Sequence, residues 1–434
     1  LWTLGASVIA LMGWGLFRKD GGYQYPVLAG VTFGGWLLPQ AIGLQYAPFL
    51  PEWGYERFLI MATLCAVMTL IGYLWSTRPM SLMGWDYSKP LLLRAAFALT
   101  FIGACFSFLY DVLPATRTDQ GQMSGLSVIL LFFADMKGYG FAIAVLVFAR
   151  TSSKWALIIA SIGAYFYLQS IILGGRRAAT SEFIFIILLS YWFARGKAVR
   201  PSIFIAVLLI GALGSASIGD YRATSQGQGV SYEEFKSIEW VGNIQELISE
   251  GGLEAETAVY QMAAIEETSD YDYGTYHWNR LVFRYVPAQI VGNNVKEALY
   301  FRGGASKVIV LAKDRNEITT NLYDFEKILG VTASGLTDAF GSFWYFGALK
   351  FFLIALVMSK VYRGAVKGNI SAQVIYMMLV TPAMHAVTHN TSWFFEAIPH
   401  MILFLLPALL YARVISRRYV TAPIHRPVEN RTNR

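Results

Sequence analysis

Cysteine, histidine and charged side chains are all scarce in this sequence. Only two of the 434 residues are cysteines, Cys65 and Cys105, and both lie inside apolar stretches, which excludes a disulfide framework or a cysteine-rich metal site. Charged residues make up 15% of the chain, against about 25% in soluble domains, which excludes a water-soluble fold. The sequence contains no Walker A phosphate loop, no G-x-G-x-x-G and no G-x-S-x-G, which argues against ATP-driven transport and a dinucleotide cofactor.

Long apolar stretches dominate what is present. Hydrophobic residues make up 55% of the chain, and apolar runs of about 20 residues recur, the length needed to cross a hydrocarbon core. The sequence therefore predicts an all-α polytopic membrane protein with about eleven transmembrane helices in the lipid bilayer. The expected spans are 2–17, 26–46, 57–76, 91–112, 124–149, 154–173, 181–196, 201–218, 341–361, 371–389 and 396–414.

Lysine and arginine are concentrated in alternate loops between these spans, which assigns those loops and the C-terminus to the cytoplasm. The segment 219–340 is then extracytoplasmic. It holds 18 acidic and 10 basic residues, and its aromatic-rich helical patterns predict a large helical cap. The basic surplus elsewhere is a topology signal, so no nucleic acid partner is expected. The expected parts are an N-terminal transmembrane bundle (1–218), the extracytoplasmic loop domain (219–340), C-terminal transmembrane helices (341–414) and a basic cytoplasmic tail (415–434).

A glycine-arginine hinge, Gly174-Gly175-Arg176-Arg177, breaks the topology rule. It lies between two long apolar runs, on the side that is otherwise poor in basic residues. Arginine forks match phosphate geometry and stay charged, and glycine lets the backbone approach closely. The hinge is therefore a candidate seat for a lipid diphosphate. The alternative is that Arg176 and Arg177 extend to anionic headgroups.

Three further arginines are expected on the same side. Arg222 follows the eighth span, and Arg280 and Arg284 are four residues apart, so they share one face if the segment is helical. All three are candidate diphosphate ligands that would converge with the hinge on one outer cavity. The alternative for Arg280 and Arg284 is that they balance carboxylates in an acidic segment.

Candidate proton acceptors lie near the outer ends of the late spans. His385 and His389 are spaced i, i+4, and an imidazole poised near neutral pH suits removal of a proton from a sugar hydroxyl. Asp338, where the ninth span begins, is a third candidate for this catalytic role. The alternatives are interhelical hydrogen bonds for the histidines and a helix N-terminal acid for Asp338.

A metal site is less favoured than metal-free chemistry. The histidine pair lacks a third ligand at a marked spacing, and Asp270-Tyr271-Asp272 is a short motif that arises by chance in acidic loops. We therefore expect no metal and no other cofactor. Asp135, Lys137 and Lys350 lie in apolar runs, where ionisable groups are costly, so we expect structural partners or a pathway-lining role for them.

The pattern resembles the bacterial O-antigen and exopolysaccharide polymerases of the Wzy type, which share a superfamily with the O-antigen ligases. The likeness covers most of the chain, through its many spans, one long outer loop late in the sequence and the outer hinge Leu173-Gly174-Gly175-Arg176-Arg177. Similar motifs are Tyr273-Gly274-Thr275-Tyr276 leading to Arg284-Tyr285-Val286-Pro287, and Asp338 ahead of Trp344-Tyr345-Phe346-Gly347. Members often carry a glutamate ahead of the aromatic-Phe-Gly turn, where this chain has Asp338.

The resemblance implies a GT-C-like fold in the bacterial inner (cytoplasmic) membrane and a metal-independent glycosyltransferase, a polysaccharide polymerase. Donor and acceptor would be oligosaccharide repeat units linked to a polyprenyl diphosphate such as undecaprenyl diphosphate. They would be joined on the periplasmic face into a surface polysaccharide, with a chain-length regulator as a candidate partner. The arginines would hold the diphosphate, and His389, His385 or Asp338 would deprotonate the acceptor. The aromatic residues expected to stack on the glycan are Trp278, Tyr271, Tyr273 and Tyr276.

Three other functions stay open. An O-antigen ligase-type transferase would use the same donor with a different acceptor. A flippase or transporter for a lipid-linked glycan would favour internal repeats, midplane charges and short outer loops, whereas this chain has no evident repeat and a long outer segment. A membrane acyltransferase would need a base near a cytosolic thioester, and the histidines here are expected outside.

The topology predicts which engineered cysteines react from outside the cell. In a chain with Cys65 and Cys105 replaced, a cysteine at Gly175 should react with a membrane-impermeant thiol reagent, and a cysteine at Ser202 should not. The measurement is a gel shift after labelling of intact cells. Reaction of the cysteine at Ser202 alone would reverse the predicted orientation of the spans and loops in the membrane.

Overall fold

The computed structural model is built from helices. It describes residues 1–47, 49–75, 78–79, 84–113, 125–214, 217, 220–221, 224, 236–249, 251–301, 318–325 and 334–416. Within these ranges there is no β-strand, and the protein is an all-α polytopic membrane protein, as the apolar runs predict. In chain order the helices are α1 (Trp2–Leu16), α2 (Tyr25–Leu44), α3 (Gly54–Trp75), α4 (Lys89–Val112), α5 (Leu126–Thr151), α6 (Lys154–Ile172), α7 (Arg177–Arg195), α8 (Pro201–Gly214), α9 (Trp240–Ser249), α10 (Leu253–Thr268), α11 (Thr275–Tyr285), α12 (Ala288–Val291), α13 (Asn293–Ala298), α14 (Ser334–Val366), α15 (Ile370–Thr388) and α16 (Ser392–Ser416).

Nine helices of the described ranges, α2 to α7 and α14 to α16, are long and apolar enough to cross a membrane. The expected spans 2–17 and 201–218 correspond to α1 and α8, which are apolar but only 15 and 14 residues long. Because a hydrocarbon core of about 30 Å needs about 20 helical residues, the count of eleven stays a prediction.

The span expected at 341–361 begins earlier in the structure. Helix α14 starts at Ser334, passes through a 3-10 segment at Trp344–Ala348 and ends at Val366. Its first turns are buried although they contain polar residues, which dilute the apolar signal in the sequence. Asp338 is therefore inside this helix and not at its first residue.

Helices α2 and α15 form the centre of the bundle, and most of their side chains are buried. Two buried tyrosine hydroxyl groups there are hydrogen-bonded, since an unpaired polar group in an apolar interior is costly. Tyr25 Oη donates to Ala383 O (3.1 Å) and Tyr376 Oη donates to Tyr23 O (2.7 Å). These bonds fix α15, the helix of His385, against α2 and the 3-10 turn Gly21–Tyr23 ahead of it.

A glycine allows α14 to touch α15. A Cβ built at Gly335 would lie 1.7 Å from Ala386 O, so no side chain fits there. The contact holds the start of α14 next to the end of α15. Asp338, about one helical turn after Gly335, is thereby brought to the segment that leads into α16.

The helices α9 to α13 belong to the expected cap. The amide of Ala255, in α10, donates to Gln40 Oε1 (3.0 Å) of α2. The amide of Asp272, ahead of α11, donates to Gly341 O (2.9 Å) of α14. The segment is thus tied to the bundle by hydrogen bonds that its backbone amides donate, and its placement outside the cytoplasm stays a prediction.

Gly175 has a φ of +52°, which strains any other residue. Asp270 is exposed in the segment expected on the same side of the membrane. A cysteine at Asp270 therefore gives the labelling test an unstrained second position.

Candidate functional site

The glycine-arginine hinge forms the corner between α6 and α7. The left-handed Gly175 ends α6, and its amide donates to Ile171 O (3.0 Å). Arg176 is the N-cap of α7 and Arg177 is its first residue. The first amides of a helix lack intrahelical acceptors and lie at the positive end of its dipole. The hinge thus joins two guanidinium groups to a helix end that favours anions.

A cavity of about 600 Å³ lies beside this hinge. Its charged and titratable lining groups come from helix ends: the two arginines of the hinge, Glu254 at the start of α10, and His385 and His389 at the end of α15. Apolar side chains of α2, α7 and α8 form the walls. Among these are Val31, Ile184, Leu188, Phe204 and Val207.

The lining of the cavity changes from charged to apolar along α7. Arg177 lines it at the N-terminus of this helix, and Ile184 and Leu188 line it further along. At 1.5 Å per residue, Leu188 lies about 16 Å from Arg177 along the axis. A ligand that fills this space would have an anionic head at the hinge and an apolar body along the helix.

His385 and His389 are brought together at the cavity, as their spacing predicts. His389 Nδ1 lies 2.8 Å from Thr388 Oγ1 and 3.3 Å from His385 Nδ1. The ring of Trp393 lies against both, with centroid distances of 5.3 Å to His385 and 5.2 Å to His389. The two imidazoles therefore share one aromatic wall of the cavity, where a neutral ring can accept a proton.

Arg280 and Arg284 both bind Glu396 of α16. Arg280 donates to Glu396 through Nε and Nη2 (3.2 Å for Nη2), and Arg284 donates through Nη1 (3.2 Å). Arg284 Nη2 also pairs with Asp135 (3.3 Å). Burial disfavours the charged form of Arg280, but Tyr276 and Glu396 raise its pKa above the usual range. Neither arginine lines the cavity at the hinge. Both instead balance carboxylates, which was the alternative to diphosphate binding.

Asp338 is enclosed in a polar network. Its Oδ2 accepts hydrogen bonds from Thr391 N (2.9 Å) and Thr391 Oγ1. Its Oδ1 lies 3.5 Å from Lys350 Nζ and 3.5 Å from His277 Nε2. Lys350 Nζ also lies 2.6 Å from His277 Nε2 and 2.7 Å from Ser342 Oγ. Asp338 is not a lining residue of the cavity, so the structure does not place it there as a base.

His277 completes this network as a neutral imidazole. Burial lowers the pKa of His277, and the opposing attraction of Asp338 does not restore it. An ammonium group can only donate, so a neutral His277 would accept from Lys350 at Nε2 and carry its proton on Nδ1, which is buried without a hydrogen-bond partner among the described residues. The charge of the Asp338 carboxylate is therefore balanced mainly by Lys350.

The aromatic candidates are divided by exposure. Tyr273 and Trp278 are 59% and 45% exposed, which leaves ring surface for stacking on a sugar. Trp278 Nε1 is anchored to Leu299 O (2.8 Å). Tyr276 Oη accepts from Arg280 Nη1 (3.4 Å), and Tyr271 Oη donates to Glu266 (3.0 Å). A glycan-binding role for these rings stays a prediction.

The remaining candidates have structural contacts or lie outside the described residues, as Arg222 does. Asp272 Oδ1 accepts from Gly274 N (2.7 Å), which uses this acid in a turn. In the described ranges no three His, Cys, Asp or Glu side chains are placed to hold a metal ion. Lys137 Nζ, in α5, donates to Ser107 Oγ (2.9 Å) of α4, a structural partner of the kind expected.

Sequence reasoning missed Glu254, His277 and Thr391. Glu254 Oε1 lies 3.9 Å from Arg177 Nη1 at the cavity. Nothing in the sequence marks Glu254, because an acid in the first turn of a helix is ordinary. His277 could have been found, since it is one of only five histidines and precedes Arg280 by three residues on one helix.

Comparison with protein-family models, curated proteins and solved structures gives no significant match to this chain.

The Asp338–Lys350 pair predicts a stability difference between single and double variants. Lys350→Met leaves a buried carboxylate without its counter-charge, which costs about 3–5 kcal/mol, so its thermal midpoint in detergent should fall clearly. Lys350→Met combined with Asp338→Asn should recover part of the loss, because both charges are then removed. Lys367→Met, at an exposed position, is the control. A Lys350→Met protein that melts like the wild type would contradict the pairing.

Proposed function

We propose that this protein is a membrane glycosyltransferase that polymerises polyprenyl-diphosphate-linked oligosaccharide repeat units on the extracytoplasmic face of the bacterial inner membrane. The observation that carries the proposal is the cavity, which combines an arginine pair, two imidazoles and an apolar wall along α7. A lipid-linked repeat unit has the matching parts. Its diphosphate is the anionic head, its prenyl chain is the apolar body, and its glycan carries the reacting groups.

The arginine pair serves the leaving group. As the bond between glycan and diphosphate breaks, negative charge develops on the bridging oxygen, and fixed positive charge lowers the barrier. Arg176 and Arg177 supply that charge from the first turn of α7, together with the helix end. This arrangement performs the task without a metal ion.

The histidine pair serves the acceptor. The hydroxyl oxygen of the acceptor sugar attacks the anomeric carbon of the donor glycan, and His389 takes the hydroxyl proton. The bond from the anomeric carbon to the diphosphate oxygen breaks, and the polyprenyl diphosphate leaves with the bonding electron pair. His385, 3.3 Å away between Nδ1 atoms, and Thr388 orient the ring of His389.

The test is a reaction of purified protein with a lipid-linked repeat unit, analysed by gel or mass spectrometry. A ladder of products that differ by one repeat unit is expected. Transfer of one unit to a different acceptor would assign the ligase-type reaction instead. Movement of the lipid-linked unit across a vesicle membrane with an unchanged glycan would assign a flippase.

Removal of either hinge arginine should abolish the ladder. Arg176→Ala and Arg177→Ala are each expected to lower turnover by about 100-fold or more, the scale for loss of one charge-stabilising donor. Arg195→Ala is the matched control, because Arg195 ends the same helix about 27 Å from Arg177. Normal chain lengths from the hinge variants, with melting midpoints near the wild type, would remove the diphosphate role.

The base can be assigned by two isosteric variants. His389→Gln is expected to lower kcat by about 10²–10⁴, the usual contribution of a general base. Glu254→Gln should have the smaller effect, because this carboxylate faces Arg177. If Glu254→Gln gave the larger loss, the proton would go to Glu254 and His389 would be a wall residue.

A further inference from the structure

The turn between α15 and α16 carries His389. Its backbone is tied to both helices, because the His389 amide donates to His385 O (2.8 Å) and Thr391 O accepts from the amide of Phe394 (3.2 Å). His389 is the C-cap of α15, with φ −117° and ψ −83°, outside the helical range. Asn390 Oδ1 accepts from the amide of Ser392 (3.0 Å), which caps the start of α16. Residues 390 and 391 connect these two ends, while the ring of His389 itself contacts Thr388 and His385 (2.8 and 3.3 Å).

Asp338 holds this turn from a third helix. One carboxylate oxygen accepts from both the amide and the hydroxyl of Thr391, two residues after His389. The carboxylate is itself buried, with 6% of its surface exposed, and its other oxygen faces Lys350 and His277. An ionised acceptor makes hydrogen bonds roughly twice as strong as a neutral one. The turn is therefore clamped at Thr391 by a charged group that cannot easily be displaced.

The position of Asp338 on α14 is fixed by contacts of that helix. Gly335 brings α14 into direct backbone contact with α15 at Ala386, about one turn before Asp338. Lys350, further along α14, reaches back to Asp338 and Ser342 on the same helix. Asp338 therefore stands at a fixed distance from the end of α15, and it meets the cavity only through the turn.

We propose that Asp338 is a positioning residue, which acts through Thr391 to hold His389 in the orientation that presents it to the cavity. Its catalytic consequence rests on the proposed function, while the orientation itself does not. This assignment differs from a direct role as base. A base must contact the acceptor hydroxyl, whereas Asp338 contacts Thr391, Lys350 and His277.

The test uses Thr391, because Asp338 variants also disturb the buried Lys350. Thr391→Val keeps the shape and the backbone amide but removes the hydroxyl donor, and Thr391→Ser keeps the donor. Misplacement of a catalytic group by about 1 Å can cost 100-fold, so Thr391→Val should lower kcat about 10- to 100-fold with little change in KM. Thr391→Ser should stay near the wild type.

A double variant shows whether the effect passes through His389. In the His389→Gln background, Thr391→Val should cause no further loss, because the group that it positions is already gone. Losses that multiply would mean that Thr391 acts elsewhere and would overturn the proposal. A wild-type kcat in Thr391→Val would also overturn it, since Asp338 would then not act through Thr391.

A measurement independent of activity reads the orientation directly. Diethyl pyrocarbonate modifies imidazole nitrogens, and peptide mass spectrometry gives the ratio of the modification rate at His389 in each variant to that in the wild type. Thr391→Val should change this ratio and Thr391→Ser should not, in proteins with equal melting midpoints. An unchanged ratio overturns the clamp. A wild-type protein that makes no ladder would overturn the proposed function alone. The labelling ratio would then still test whether Asp338 and Thr391 hold the orientation of His389.

Discussion

The carboxylate of Asp338 is a negative charge inside the helical bundle, and one end of the molecule is organised around its neutralisation. Removing an ion from water costs several kcal/mol even after relaxation, so the fold must supply a counter-charge and hydrogen bonds at fixed positions. Lys350 supplies the charge from the same helix, and Thr391 supplies two donors from the turn ahead of α16. The elements α11, α14 and the α15–α16 turn thus meet at one ionised group. A shift of any of them would leave that group without part of its stabilisation.

The two arginine pairs show how tertiary contacts divide identical side chains between different tasks. Arg280 and Arg284 are bound closely by Glu396, so their positive charge is already matched within the protein. Arg177 faces its carboxylate, Glu254, at 3.9 Å, beyond ordinary hydrogen-bond length. A competing phosphate can replace a loose pair at a cavity more readily than a tight, buried one. The difference favours the hinge as the anion seat and gives α11 a structural role against α16.

The sequence predicts the features that the membrane itself constrains, namely the length of the spans and the side on which basic residues lie. Apolar runs of span length follow from the thickness of the hydrocarbon core, and the hinge was identified because arginine placement follows topology. The start of α14 was misplaced because Gly335 and Asp338 break its apolar pattern, although the surrounding structure buries both. The partner of Asp338 could not be predicted, since Thr391 is distant in sequence and looks like any other threonine. The pairing of Arg280 with Glu396 depends in the same way on which of many carboxylates the fold brings near.

The contact of Gly335 with Ala386 also bears on motion. Two helices in backbone contact, with no room for a side chain between them, cannot slide or tilt past each other without a clash. Helix α15, which carries His385 and His389 at the cavity, is therefore held in place on the side that faces α14. On another side the cavity is lined by α8, where Val207 has an exposed side chain. For a lipid-linked ligand of the proposed kind, the histidine-bearing end of α15 would be a fixed boundary of the cavity, and its position would limit which ligands can be held.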